Sequence, residues 1–178
     1  VLGKPLGVGV LSAALKKEQL DAAGYQRMIA TTTQLNTPGP LLAALDGVHA
    51  ITDVTGFGLA GHLLEICRGA GLQAQLEFAC LPLIDEAAEL ARAGVATGAS
   101  TRNWNSYGAD VALGAGLGEW QQKLLSDPQT SGGLLVACAP ECEAEVLEIF
   151  RREGFVPATI GELTALSPAG AQPGITVS

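Results

Sequence analysis

Positive charge is scarce in this sequence: Lys and Arg together number 10 against 18 Asp and Glu, a formal net charge of -8. A nucleic-acid binder neutralises phosphates with a basic stripe, and none is visible here, so nucleic acid is not an expected partner. The same deficit argues against docking on an anionic membrane surface. Long apolar runs are also missing. Stretches such as Gly132–Ala139 fall well short of the ~20 residues needed to cross a bilayer. The first residues lack the basic head, apolar stretch and small-residue cleavage site of a secretory signal. Aromatic residues supply only 4% of the chain, so the core is expected to rest on Leu, Val, Ile and Ala. The four cysteines, Cys67, Cys80, Cys138 and Cys142, fall in apolar segments without CxxC spacing. They read as reduced, buried thiols of a cytoplasmic protein rather than as disulfides or a metal pair.

What is present points to a globular domain. The 178 residues are 48% hydrophobic and 16% charged, and 23 glycines punctuate them. The length suits one domain, residues 1–178, with a tail loop and a short strand at residues 167–178. The chain opens at Val1, just before an expected strand at Leu6–Leu11; it is therefore expected to be a piece of a longer protein. The patterning predicts a helix over Leu20–Thr33 with Met28 and Ile29 inward, a short helix after Pro38, and a strand at Val48–Val54. A helix at Phe57–Arg68, an alternating strand at Leu72–Phe78 and a helix at Asp85–Ala93 follow. The stretch from Gly94 to Gly118 has weak periodicity and reads as a long loop. Beyond it come a helix at Glu119–Leu125, a buried strand at Gly132–Ala139, an amphipathic helix at Pro140–Glu153, a strand at Ala158–Leu163 and a short strand at Ile175–Val177. Helices interspersed with strands, one of them alternating, give an α+β fold with a mixed sheet packed with helices.

Gly56-Phe57-Gly58-Leu59-Ala60-Gly61 matches G-x-G-x-x-G after a strand and before a helix, with Glu77 about twenty residues on. This is the outline of a dinucleotide-binding turn. The surroundings argue otherwise. The preceding strand carries His49, Thr52 and Asp53, and the following one carries Gln73 and Gln75. A central parallel strand is nearly continuous in apolar residues. A carboxylate at Asp53 would repel a bare pyrophosphate, but it suits a phosphate that arrives with Mg²⁺. Two readings follow from the spacing. In one, Asp53, Thr55, Gly56 and Gly58 form a corner for a metal–phosphate complex. In the other, the glycines serve close packing and Asp53 caps the helix.

Several longer segments carry a resemblance. Gly47-Val48-His49-Ala50-Ile51-Thr52-Asp53-Val54-Thr55-Gly56-Phe57-Gly58-Leu59-Ala60-Gly61-His62 resembles the corresponding stretch of selenophosphate synthetases. So does Ser126-Asp127-Pro128-Gln129-Thr130-Ser131-Gly132-Gly133-Leu134-Leu135. Lys4-Pro5-Leu6-Gly7-Val8-Gly9 resembles the opening of that family's C-terminal domain, and Ile160-Gly161-Glu162 its closing strand. The matches run in order over nearly the whole chain. The resemblance implies the C-terminal domain of the aminoimidazole ribonucleotide synthetase-like type, a group that includes thiamine-monophosphate kinase and the hydrogenase-maturation dehydratase. It implies a homodimeric enzyme that converts ATP, selenide and water to selenophosphate, AMP and phosphate with Mg²⁺. It carries the family's magnesium-binding aspartate onto Asp53. The family's catalytic Cys or selenocysteine, its neighbouring Lys and most of its metal-binding aspartates belong to an N-terminal, ATP-binding domain, the expected partner of this one. No catalytic residue is therefore assigned in these 178 residues. Alternatives are a non-catalytic module that docks and closes a cleft, and a related ATP-dependent enzyme with another substrate.

The remaining polar positions read more simply. His62 is expected to be a hydrogen-bonded helix histidine and His49 a strand-face residue. Asp127–Gly133 reads as a capped turn whose Gly132-Gly133 permits unusual backbone angles, or as a wall of the nucleotide or selenide cleft. Trp104 and Tyr107 are expected to anchor the long loop, with a phosphate contact by Arg102 as the alternative.

Overall fold

The computed structural model describes residues 1–166 and 172–178; the loop expected over residues 167–174 lies partly outside them, at residues 167–171. The strand expected at Leu6–Leu11 is instead the start of a helix, α1 (Val8–Lys16), and Leu6 makes only an isolated bridge to Leu83. Local pattern alone favours extended backbone in this Val- and Gly-rich stretch. What overrides it comes from 117 to 122 residues away. The side-chain oxygen Oε1 of Gln129 accepts from the N–H groups of Gly7 and Val8, and Oδ2 of Asp127 from those of Gly9 and Val10. The four orphan donors of a helix N-terminus are thus met by remote side chains.

Helix α2 (Ala22–Thr33) follows, capped by Asp21 through the Gly24 N–H. Met28 faces inward as expected, but Ile29 is on the exposed side. Pro38 precedes the single turn α3 (Gly39–Leu42), which buries Leu42. Strand β1 (Val48–Asp53) leads through the glycine turn into α4 (Gly58–Ala70), which ends on Gly71 in the left-handed conformation. Then come β2 (Leu72–Leu76), a short α5 (Ala87–Arg92) and α6 (Gly98–Tyr107). The long loop expected between Gly94 and Gly118 is therefore wrong in its middle. Thr97 caps α6 by accepting from the Ser100 N–H, and β3 (Val111–Leu113) follows. The order closes with α7 (Glu119–Leu125), β4 (Leu134–Cys138), α8 (Glu143–Arg152), β5 (Gly161–Ala165) and β6 (Ile175–Val177). The strand expected at Ala158–Leu163 begins three residues later, at Gly161.

The strands of the described residues form two sheets. β1 and β4 pair antiparallel, with Asp53 opposite Leu134. The other sheet has the order β3-β6-β2-β5; β3–β6 and β6–β2 are parallel and β2–β5 antiparallel. The fold is thus α+β with a mixed sheet, as the patterning implied. β4 is buried on both faces. Leu135 joins the main core with Leu11, Leu59, Leu64 and Leu124, whereas Leu134 and Val136 join a second cluster with Val146 and Phe150 of α8. This explains why Leu134-Leu135-Val136 is a continuous apolar run rather than an alternating one. Cys67 is buried and Cys138 and Cys142 are half-buried, but Cys80 is exposed, contrary to expectation. Burial pushes the Cys67 thiol up to about 11, so it stays protonated and is a packing residue.

Candidate functional site at the glycine corner

The register of β1 against β4 brings two sequence-distant segments, Asp53–His62 and Asp127–Gly133, to one corner. The Val54 N–H donates to Gly133 O at 2.9 Å, and the Gln129 N–H to Thr55 O at 2.9 Å. The glycines here answer to close approach. A Cβ on Gly132 would collide with the Val54 carbonyl oxygen, and one on Gly133 with the Lys4 backbone nitrogen. Neither glycine adopts a positive φ. The left-handed residue is Ser131, at φ 50°, which corrects the expectation of unusual angles at Gly132-Gly133. Lys4 helps to hold this turn. Its side chain is 1% exposed, and its Nζ donates to Ser131 O at 2.7 Å and Gln34 O at 2.6 Å. Burial lowers its pKa, and the charge is met by carbonyl dipoles at the end of α2. Asn36 adds a bond from Nδ2 to Gly132 O at 2.9 Å.

The candidate residues fall as follows. Asp53 ends β1 and is exposed; no side-chain hydrogen bond or ion pair engages it among the described residues. It does not cap α4, whose N-cap is Phe57 with no side-chain cap bond. The helix-cap reading of Asp53 is therefore set aside. The Thr55 hydroxyl is 3.1 Å from His62 Nε2, so His62, 7% exposed, is the hydrogen-bonded helix histidine that was expected. Gly56 is exposed, and a Cβ there would meet no atom within 4 Å. Gly58 is buried at φ 72°, and a Cβ there would lie 2.7 Å from the Ser126 carbonyl carbon. Two neighbouring glycines in one motif thus have different jobs. Gly58 is demanded by the chain itself, and Gly56 leaves the outer face of the turn open to approach.

The elements of this corner fit a metal–phosphate complex better than a bare ion. No group of three or more His, Cys, Asp or Glu capable of holding a metal exists among the described residues. Asp53 alone is one hard oxygen ligand, and Mg²⁺ commonly takes one or two carboxylates together with substrate phosphates. Residues outside the glycine motif surround the corner. Asn103 and Tyr107 of α6 reach its backbone, and Asp127 and Gln129 tie it to α1. A faint signal was legible: Ser100, Asn103 and Tyr107 recur at helical spacing and are all buried. Trp104 packs against the core as an anchor, and Arg102 is exposed on α6.

Asp127 makes a test of the local energetics. It is fully buried, and burial pushes its carboxyl up to about 7, although bonds from Gln129 and from the Val10 and Gly9 N–H groups pull the other way. The folded pKa exceeds the unfolded one, so the stabilising contribution is complete below about pH 4 and is lost as pH rises to about 7. Between those values the native chain is expected to lose stability relative to Asp127→Asn. Urea melts of both proteins across this range check it, and parallel pH profiles would contradict it.

With this geometry in place, the comparisons decide the family. Residues 1–169 match the family model described as AIR synthase related protein, C-terminal domain. The chain belongs to this family. It is 58% identical over 178 residues to a selenide, water dikinase of Dechloromonas aromatica, covering 99% of this chain and 50% of that protein. It is 65% identical over 164 residues to a selenide, water dikinase of Burkholderia pseudomallei, covering 92% and 46%. The chain thus spans about half the length of the curated relatives it matches. Among solved structures, thiamine-monophosphate kinase from Stenotrophomonas maltophilia superposes with a TM-score of 0.62 at 16% identity, over 99% of this chain and 48% of that one. At that identity the likeness concerns the fold. No helix among the described residues is long and apolar enough to cross a membrane.

Proposed function

We propose that this chain is the C-terminal half of a cytoplasmic, homodimeric enzyme that makes selenophosphate from selenide, ATP and water, releasing AMP and phosphate. The observation that carries the reading is its 58–65% identity to selenide, water dikinases over nearly all its length. Fold likeness alone would not choose among the group's substrates.

In this reading Asp53 is a magnesium ligand, and Thr55, Gly56 and Gly58 form the turn that receives the ATP phosphates. Mg²⁺ would supply charge neutralisation and alignment of the phosphate oxygens. The chain's own contributions are specific. Asp53 stands exposed at the end of β1, and among the described residues no side chain pairs with it, so its carboxylate can take a cation. The open face over Gly56 admits a phosphate without a side chain in the way. His62 fixes the Thr55 hydroxyl, and the turn from Thr130 to Gly133 forms the adjoining wall, held by Lys4 and Asn36.

A nucleophile is not assigned within this half, so its role is to bind and enclose. In a second reading the chain is a cleft-closing module without chemistry of its own; it is favoured by the absence, among the described residues, of any group of three or more His, Cys, Asp or Glu that could hold a metal. The exposed apolar side chains of Leu35 (74%) and Phe57 (54%) suit burial against the N-terminal half. The test is selenide-dependent AMP release together with selenophosphate, followed by ³¹P NMR. The full-length protein is expected to give both, and the isolated chain neither. AMP production above background by the isolated chain would contradict the division of labour. A full-length protein indifferent to selenide would contradict the substrate.

A further inference from the structure

Three consecutive carbonyls of the glycine turn are drawn toward the protein by named donors. Thr55 O accepts from the Gln129 N–H at 2.9 Å and the Gly58 N–H at 3.0 Å. Gly56 O accepts from Asn103 Nδ2 at 2.8 Å, and Phe57 O from the Tyr107 hydroxyl at 2.6 Å. A trans peptide carries its C=O and the next residue's N–H on opposite sides. A donor that fixes one carbonyl therefore fixes the following N–H on the opposite side of that peptide. The N–H groups of Gly56 and Phe57 have no acceptor among the described residues, and both residues are exposed.

We propose that Asn103 is a positioning residue of this corner: by holding the Gly56 carbonyl, its amide aims the Phe57 N–H at the phosphate groups of the nucleotide. The inference rests on the reading of the corner as a metal–nucleotide site. Asn103 is suited to the task. It is 8% exposed on α6, whose start is fixed by the Thr97 cap. Its Nδ2 also donates to Ser126 O at 3.0 Å, so one amide group bridges two backbone carbonyls from different segments. An amide nitrogen carries two N–H donors and no charge, which matches two carbonyl acceptors. No other side chain hydrogen-bonds the Gly56 carbonyl among the described residues. Gly56 has no Cβ to resist rotation of the peptide that follows it. Without Asn103 that peptide is free to turn over, and a carbonyl oxygen would then replace an N–H in front of an anion.

The experiment uses the full-length protein with ¹⁵N-labelled phenylalanine and a titration with Mg²⁺ and β,γ-methylene-ATP. The Phe57 amide signal is expected to shift in the wild type. In Asn103→Ala the shift is expected to be lost, and the apparent KM for ATP to rise about tenfold, the scale of one lost net hydrogen bond, while kcat changes less. A purely structural role would lower the melting temperature and leave both the nucleotide response and KM of the folded protein in place. That outcome overturns the positioning role and leaves the corner reading intact. A wild-type Phe57 amide that does not respond to the nucleotide overturns the corner reading and this inference together. If Asn103→Ala does not fold, the near-isosteric Asn103→Asp is read in the same way. Failure of both to fold makes Asn103 a fold anchor and overturns the inference.

Discussion

Asp53→Asn in the full-length protein is expected to lower selenophosphate formation by at least about 100-fold, about 2.7 kcal/mol of transition-state stabilisation, without a change in melting. The carboxylate is exposed, and no side-chain hydrogen bond engages it among the described residues, so the fold has nothing to lose. Surface changes of that kind stay within about 0.5 kcal/mol. The amide is nearly the same shape but lacks the charge on which a hard cation with few protein ligands depends. Turnover assays over a range of Mg²⁺ concentrations, alongside thermal melts, check both halves of the statement. Near-normal turnover with an unchanged Mg²⁺ requirement would take Asp53 out of the site.

Gly58→Ala and Gly56→Ala are expected to separate fold from function within three residues. At Gly58 an added Cβ faces the Ser126 backbone at 2.7 Å and the Asp127 carbonyl oxygen at 3.0 Å, on a φ of 72°. A left-handed non-glycine residue costs roughly 1–2 kcal/mol and forced overpacking roughly 1–3 kcal/mol more, so about 2–5 kcal/mol of stability is at stake. At Gly56 the same methyl meets nothing within 4 Å. Gly56→Ala is therefore expected to melt within a few degrees of the wild type but to weaken ATP binding, because the methyl intrudes where the phosphates approach. Denaturant melts and nucleotide titrations distinguish the two. Equal stability of both variants would contradict the packing argument, and unaltered ATP binding by Gly56→Ala would contradict the site.

Elements whose determinants are local were legible in the sequence. Helix α7 and strand β6 fall where the pattern put them, and α4 follows the glycine turn. β4 was readable because both its faces are buried, which leaves an unbroken apolar run. The misses share a cause. α1 owes its start to Asp127 and Gln129, more than a hundred residues away, and no window of its own sequence contains them. α6 buries Ser100, Asn103 and Tyr107 rather than an aliphatic stripe, so a search for apolar periodicity passes over it. The site was legible to a similar degree. The motif drew attention to Asp53 and the turn, but the residues that brace the turn are polar, scattered and ordinary in composition. Lys4 is one of them: a cation inside an apolar opening segment looks like a solvated charge until the carbonyls around it are seen. The different demands on Gly56 and Gly58 likewise arise from what packs against each, which spacing does not encode.

The central claim is that this corner holds a cation together with the nucleotide phosphates. Mn²⁺ is a paramagnetic substitute with the same preference for oxygen ligands. Electron paramagnetic resonance of free Mn²⁺, titrated into the full-length protein with and without ATP, measures the claim directly. The wild type is expected to bind Mn²⁺ in an ATP-dependent manner and more tightly than Asp53→Asn, by at least about tenfold, or 1.4 kcal/mol. Identical ATP-dependent Mn²⁺ binding by the two proteins would contradict it.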